Sequence, residues 1–280
     1  MQKVIATGKG GVGKTTTIST LATMMARAGK KVIVLDTDPS MNLAMTLGLP
    51  YLEVPTITEN KMEINEELDD MDEDPVLVGK RIIEEYSRVN SDRIRVIVMG
   101  AIPDEGNGCL CSAISIMKIL LSYVDSDACP DTYDIAFVDS QAGPEILGRG
   151  LAKDFDCNIV MTEPTPKSAE VSRQVVTLAK NLGIEHNILV INKSESENDV
   201  KKVSSLVGIP EEFSVRIEYD HSVIDADWNN QILLDAFPDC KAVRNITNVK
   251  NCLEKIEASK CANSLFISTA TTTPISSQRM

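Results

Sequence analysis

Residues 8–16 read GKGGVGKTT, and Gly8, Gly13, Lys14 and Thr15 fit the spacing G-x-x-x-x-G-K-[ST]. Few nine-residue runs make such specific demands on the chain around them. Glycines let successive backbone N–H groups turn inward around a phosphate, the lysine reaches the β/γ-phosphates, and the threonine hydroxyl takes Mg²⁺. The flanking sequence meets the demand. KVIATG before the loop is a short β-branched and apolar run that reads as a strand, and TTTISTLATMMARAGKK after it carries apolar residues at helical spacing up to Gly29. Strand, loop and helix in this order make Gly10, Gly11, Val12, Gly13, Lys14, Thr15 and Thr16 the expected nucleotide contacts, with Thr15 also a Mg²⁺ ligand.

The rest of the chain alternates in the same way. KKVIVLDTD (30–38), RIRVIVMGA (93–101), YDIAFVDSQAG (133–143), CNIVMTEPT (157–165), HNILVINK (186–193) and EFSVRIEYD (212–220) read as strands, with a helix over 167–183. Their apolar runs are continuous, as expected of strands buried on both faces. The prediction is an α/β fold: a doubly wound, mainly parallel sheet flanked by helices, with its ligand at the carboxyl ends of the strands. At 280 residues and 43 % hydrophobic content, one domain over 1–258 is expected. Residues 63–74, EINEELDDMDED, read as an acidic surface insertion between the 30–38 and 93–101 strands, and 259–280 as a disordered Ser/Thr-rich tail.

The formal charge is −13 and the pI about 4.7, which argues against general affinity for nucleic acid or anionic membrane. The chain begins directly with a strand and the loop, leaving no room for a signal peptide, and no stretch approaches the ~20 apolar residues of a membrane span. Seven cysteines in a nucleotide-binding chain point to thiols in the reducing cytosol, so the expected location is cytoplasmic.

Lys9 narrows the class. An ordinary phosphate-binding loop has no need of a cation there, and the chain direction carries the side chain away from its own phosphates. K-G-G-V-G-K-T resembles the deviant P-loop of the MinD/ParA/nitrogenase iron protein class. That resemblance implies that Lys9 crosses a homodimer interface to the partner's ATP and acts as an arginine finger does, so that hydrolysis requires two subunits. It also implies that Asp38, in LDTDPSMNLA, orients or activates the attacking water, with Pro39 to Asn42 forming the first switch; the competing reading is an Asp that caps the following turn. Asp36 on the same strand has no evident assignment. Asp139, after the apolar run IAFV, is expected to hold Mg²⁺ through water, and Gly143 to let the second switch move. In this class the residue matching Asn192 reads the adenine edge, with Lys193 beside it. A GTPase is expected to show N-K-x-D, whereas the run here is Asn192-Lys193-Ser194-Glu195, which favours ATP.

GNGCLC (106–111) follows the 93–101 strand and precedes an apolar helix. Two thiols one residue apart can face one soft ion, but a tetrahedral site needs four ligands, so Cys109 and Cys111 fill half of it. The same loop of a second subunit could supply the rest. Together with FVDSQAGPEILGRG and MTEPTPKSAEVSRQVVTLAKNLGI, this segment resembles the CooC-type accessory ATPases of carbon monoxide dehydrogenase maturation, over residues 1–258. The resemblance implies a metallochaperone that binds Ni²⁺ or Zn²⁺ through Cys109 and Cys111 at a dimer interface. ATP turnover would accompany nickel insertion into carbon monoxide dehydrogenase or a related metalloenzyme. Two positions depart from the pattern: Ile146 stands where a histidine is expected, and Glu218 where a proline is.

Two other functions fit the loop less well. A MinD/ParA-type spatial regulator needs a basic amphipathic C-terminal helix for membranes or a basic surface for DNA, and the end of this chain is mixed in charge. A nitrogenase iron protein-like electron carrier takes two widely separated cysteines per subunit, unlike C-x-C. No nucleic-acid partner and no stable membrane anchor are expected. Among the remaining candidates, Cys157 and His186 are expected to be structural, His221 lies near the nucleotide edge, and Trp228 is read as a packing residue on a short helix.

Overall fold

The computed structural model describes residues 1–50, 53–60, 62–64, 66, 75–101, 110–148, 151 and 155–270. Eight strands among them form one sheet, in the order β3-β4-β2-β5-β1-β6-β7-β8. These are β1 (Gln2–Gly8), β2 (Val32–Asp36), β3 (Ser87–Val89), β4 (Arg95–Val98), β5 (Ile135–Asp139), β6 (Cys157–Thr162), β7 (His186–Ser194) and β8 (Ser214–Glu218). Every neighbouring pair is parallel except β3 with β4. The helices are α1 (Lys14–Arg27), α2 (Asn42–Thr46), α3 (Pro75–Glu85), α4 (Leu110–Val124), α5 (Glu145–Gly148), α6 (Pro166–Asn181), α7 (Asn198–Val207), α8 (His221–Trp228), α9 (Leu233–Ala236) and α10 (Lys241–Ala270).

The sheet is covered on both faces, as the continuous apolar runs predict. Ile5, Leu35, Val138 and Val160 enter one core, while Val4, Val34, Phe137 and Ile159 enter the other. Successive side chains point to opposite faces of a strand, so both faces must be apolar when both are covered. Each large side chain removed from water in this way contributes about 1.5–3 kcal/mol. The chain leaves β1 toward β2 on one side and returns through β5, then crosses to β6 on the other. β1 therefore sits at the topological switch, and its carboxyl end opens into the crevice where such sheets take ligands.

Three details differ from the sequence reading. β3 was not anticipated: it has three residues, and Arg88 and Val89 are exposed, so it carries no apolar signal. β8 alternates between half-buried and buried positions, as a strand at the edge of the sheet does. The last helix runs on past residue 258 to Ala270, through a stretch read as tail. Ala242, Ile246, Val249, Leu253 and Ile256 bury one stripe of it at helical spacing, and Lys260 pairs with Asp156 one turn further on. Residues 271–280 lie outside the described residues. In the acidic insertion, Ile64 is buried and Glu63 pairs with Arg81 at 3.4 Å, while Glu67–Asp74 lie outside the described residues.

Candidate nucleotide site

β1 ends at Gly8, and α1 begins at Lys14 behind Gly13 in the left-handed region, φ +93°. Two glycines here are sterically required. A Cβ on Gly8, at φ +141°, would lie 2.2 Å from the Met161 carbonyl oxygen, and one on Gly13 would lie 2.3 Å from Asn192 Nδ2. The amides that open α1 thus face the crevice with the positive end of the helix dipole behind them, which is where an anionic phosphate is stabilised.

Lys14 is buried, and its amine donates to the Lys9 carbonyl at 3.2 Å. Burial lowers its pKa, and the opposing charges of Asp139 and Asp38 restrain the drop. The Thr15 hydroxyl donates to Asp139 Oδ2 at 2.6 Å. Burial pushes the Asp139 carboxyl up to about 6, against the Thr15 bond and the Lys14 charge. Its other oxygen, Oδ1, is buried without a hydrogen-bond partner. A buried carboxylate oxygen left unpaired beside a threonine hydroxyl suits a hydrated Mg²⁺, so the residues present fit the cation expected of them.

Asp38, just beyond β2, lines the same crevice. Its Oδ1 accepts from Ser40 N at 3.0 Å and Ser40 Oγ at 2.6 Å, so the turn-capping reading of this residue holds alongside its place at the site. The crevice has a volume of about 470 Å³, bounded by Gly10, Lys14, Thr15, Asp38, Ile224 and Asp227 among others. A second chamber of about 400 Å³ adjoins it through Gly11, Gly13 and Thr16 and is walled by Asn192, Tyr219 and Asp220. Two adjoining chambers over one loop can hold a polyphosphate and a base. His221 packs edge-on to Tyr219 at 5.1 Å between ring centres, at the border of the second chamber.

Asn192 and Lys193 do more than line the chamber. Asn192 Nδ2 donates to the Val12 carbonyl at 2.8 Å, and the Lys193 amine donates to the Gly11 carbonyl and to Glu163 Oε1, each at 2.8 Å. Lys193 sits at φ +55°, and its own N–H donates to Asn192 Oδ1. The outer side of the loop is therefore braced by β7 and by Glu163 at the end of β6. Glu163 was not picked out in the sequence, since its role depends on β6 and β7 being neighbours. Asp220 was missed because its distant partner is set by the packing of α10: it accepts from Ser222 N and Ala242 N, both at 3.0 Å, and so holds the starts of α8 and α10 together beside the second chamber.

Gly143, at φ +88°, donates its N–H to the Gly8 carbonyl at 2.9 Å, which links the turn after β5 to the loop. Of the two departures, Ile146 is fully buried in the core. Glu218 pairs with Lys241 at 3.3 Å and takes its place in the wall of the second chamber. Lys9 is exposed, with no ion pair among the described residues. Cys109 lies outside the described residues, and Cys111 falls in the first turn of α4. Among the described residues no group of three or more His, Cys, Asp or Glu is placed to hold a metal ion. Trp228 does end a short helix, but it is 84 % exposed and packs little.

The sheet, the loop and the convergence of Lys14, Thr15 and Asp139 define a P-loop nucleotide-binding protein. Residues 3–234 match the model of the CobQ/CobB/MinD/ParA nucleotide binding domain, and the chain belongs to that family. It is 30 % identical over 276 residues to an uncharacterised ATP-binding protein of Methanocaldococcus jannaschii, covering 91 % of this chain and 98 % of the relative. It is 28 % identical over 248 residues to the carbon monoxide dehydrogenase accessory protein CooC of Rhodospirillum rubrum, covering 85 % and 92 %. Among solved structures it resembles MinD in the MinC:MinD cell division complex of Aquifex aeolicus, with a TM-score of 0.69 and 19 % identity over 91 % of this chain and 96 % of that one. That likeness speaks to the fold. No helix among the described residues is long and apolar enough to cross a membrane.

Proposed function

We propose that this protein is a cytoplasmic, Mg²⁺-dependent ATPase that works as a homodimer and assists nickel insertion into carbon monoxide dehydrogenase or a related nickel enzyme. The ATPase part rests on one observation, the meeting of Lys14, the Thr15–Asp139 pair and Asp38 around a single crevice. Lys14 binds the β/γ-phosphates, Thr15 and Asp139 hold the cation, and Asp38 orients the attacking water. Mg²⁺, when bound, neutralises phosphate charge. Lys9, exposed in the loop, is free to reach the nucleotide of a second subunit. Replacing Asp38 by Ala is expected to leave ATP binding in place and to slow hydrolysis by about 10²- to 10⁴-fold, because only the positioning of water is lost. Equilibrium binding and single-turnover rates on one preparation check this; normal turnover by the variant, or failure to bind ATP, would remove Asp38 from the role.

The nickel part is supported by the sequence pair Cys109-x-Cys111 and by the 28 % identity to CooC over most of both chains. Two thiolates from each subunit complete a four-sulfur site for Ni²⁺ or Zn²⁺. The expected stoichiometry is one divalent ion per two chains. Binding should weaken as pH falls, because the thiols must lose their protons. Near-ultraviolet charge-transfer bands on adding Ni²⁺, absent when both cysteines are serine, provide the readout. One metal per chain, or metal retained by the double serine variant, would move the site elsewhere.

The MinD-like fold favours a second reading, a spatial regulator of the MinD/ParA type. Such a protein binds vesicles or DNA in an ATP-dependent manner and needs no thiolate metal. Metal analysis of anaerobically purified protein separates the two, and brown colour with visible absorption would point instead to an iron–sulfur electron carrier.

A further inference from the structure

Asp36 has no place in the nucleotide machinery described above, yet it is the most deeply buried carboxylate near it, with no exposed surface. It ends β2, in register with Asp139 on β5, and it does not line the crevice. A buried carboxylate needs partners, and among the described residues Asp36 finds them in the segment that follows it. Its Oδ1 accepts from Asp38 N at 3.0 Å, and its Oδ2 accepts from Leu43 N at 3.1 Å. One side chain thus holds both ends of the stretch 38–43.

That stretch needs holding. Met41 is a non-glycine residue at φ +52°, a conformation that costs a side chain free energy and persists only when its surroundings impose it. Met41 also stands at the N-cap of α2, where no side chain of its own caps the helix. The first-turn amide of Leu43 is satisfied from outside the helix, by Asp36. Within the loop the Met41 N–H closes a turn on the Asp38 carbonyl at 3.0 Å. Thr37, between the two aspartates, donates both its N–H and its hydroxyl to the Asp139 carbonyl, each at 2.9 Å. The start of the switch is therefore tied to β5, and its far end is tied to β2 through Asp36.

We infer that Asp36 is a positioning residue for hydrolysis: its two oxygens clamp Asp38 N and Leu43 N, and the clamp sets where the Asp38 carboxylate stands relative to Lys14 and Thr15. Asp36 has no surface open to the crevice. It fixes the backbone of the residue that orients the water, and a misplacement of about 1 Å at a reacting centre can cost about 10²-fold in rate. The inference rests on the ATPase reading of the site.

The test joins kinetics to amide hydrogen exchange on the full chain. Asp36→Ala removes both acceptors. Asp36→Asn keeps the shape and one accepting oxygen, and serves if the alanine variant does not fold. With Mg-ATP, kcat is expected to fall about 10- to 100-fold for Asp36→Ala and less for Asp36→Asn, with KM unchanged within about twofold. Without added nucleotide, the amides of Asp38 and Leu43 should exchange faster in the variants, while those of Ile33–Leu35 stay protected by the sheet. Wild-type turnover in both variants overturns the inference. So does faster exchange along the whole of β2 with loss of ATP binding, since that marks general destabilisation. Absence of turnover in the wild type would overturn the ATPase reading instead, and the exchange pattern would still decide whether Asp36 clamps the switch.

Discussion

Lys9→Ala is expected to bind Mg-ATP about as tightly as the wild type and to hydrolyse it on the order of 10³-fold more slowly. The reasoning combines a contact with an absence of contacts. Among the described residues only the carbonyl of Lys9 is used within its own subunit, where it accepts from the Lys14 amine, and any residue at this position can supply that carbonyl. The Lys9 amine is exposed and makes no ion pair among the described residues. Removing it should leave the subunit's own phosphate cradle intact. If the side chain neutralises charge on the phosphoryl group of a partner's nucleotide, the loss falls on the transition state and spares the ground state. Mixing Lys9→Ala with a second variant that cannot bind nucleotide offers a further check. Only the subunit with an intact loop binds ATP, and its partner then supplies or withholds the finger. Full hydrolysis by Lys9→Ala alone would falsify the cross-dimer role.

Lys14→Ala is expected to lose nucleotide binding altogether, a larger effect of a different kind. The Lys14 amine is the buried cation of the crevice, placed between the loop and the carboxylates of Asp139 and Asp38. Its removal takes away the point charge on the β/γ-phosphates and leaves the Asp139 and Asp38 carboxylates facing a polyphosphate without the buried amine between them. Isothermal titration with ATP and Mg²⁺ should show no heat of binding in the variant. A normal melting temperature in the same preparation would confirm that the fold survives. Binding within a few-fold of the wild type would mean that the crevice does not hold phosphate in this orientation.

Much of this site is legible along the chain because its parts are local. Gly8 to Thr16 occupy one turn between a strand and a helix, so spacing alone announces the phosphate cradle. The strands β1, β2 and β4 to β7 stand out because both faces of the sheet are covered and both must be apolar. β3 and Trp228 escaped for converse reasons. A three-residue edge strand carries no burial signal, and a tryptophan in sequence does not say that it faces solvent. The α10 helix outran its expected end because Ser and Thr depress intrinsic helix propensity, whereas burial of Val249, Leu253 and Ile256 stabilises the element that carries them.

By itself the sequence determined the fold class and the phosphate loop with Lys14 and Thr15, which follow from short-range pattern; Asp139 is proposed from the apolar run before it and Asp38 from resemblance. Only the tertiary structure decided how those groups are held. Thr15 meets Asp139 across 124 positions, Asn192 meets Val12 across 180, and Glu163 reaches the loop through Lys193. Asp36 shows the same division within seven residues, since its neighbours in sequence were plain while the direction of its two oxygens was not. The physical reason is that spacing along a chain encodes local geometry. A buried polar group finds its partner through strand order and register, and these are set by the packing of the whole sheet.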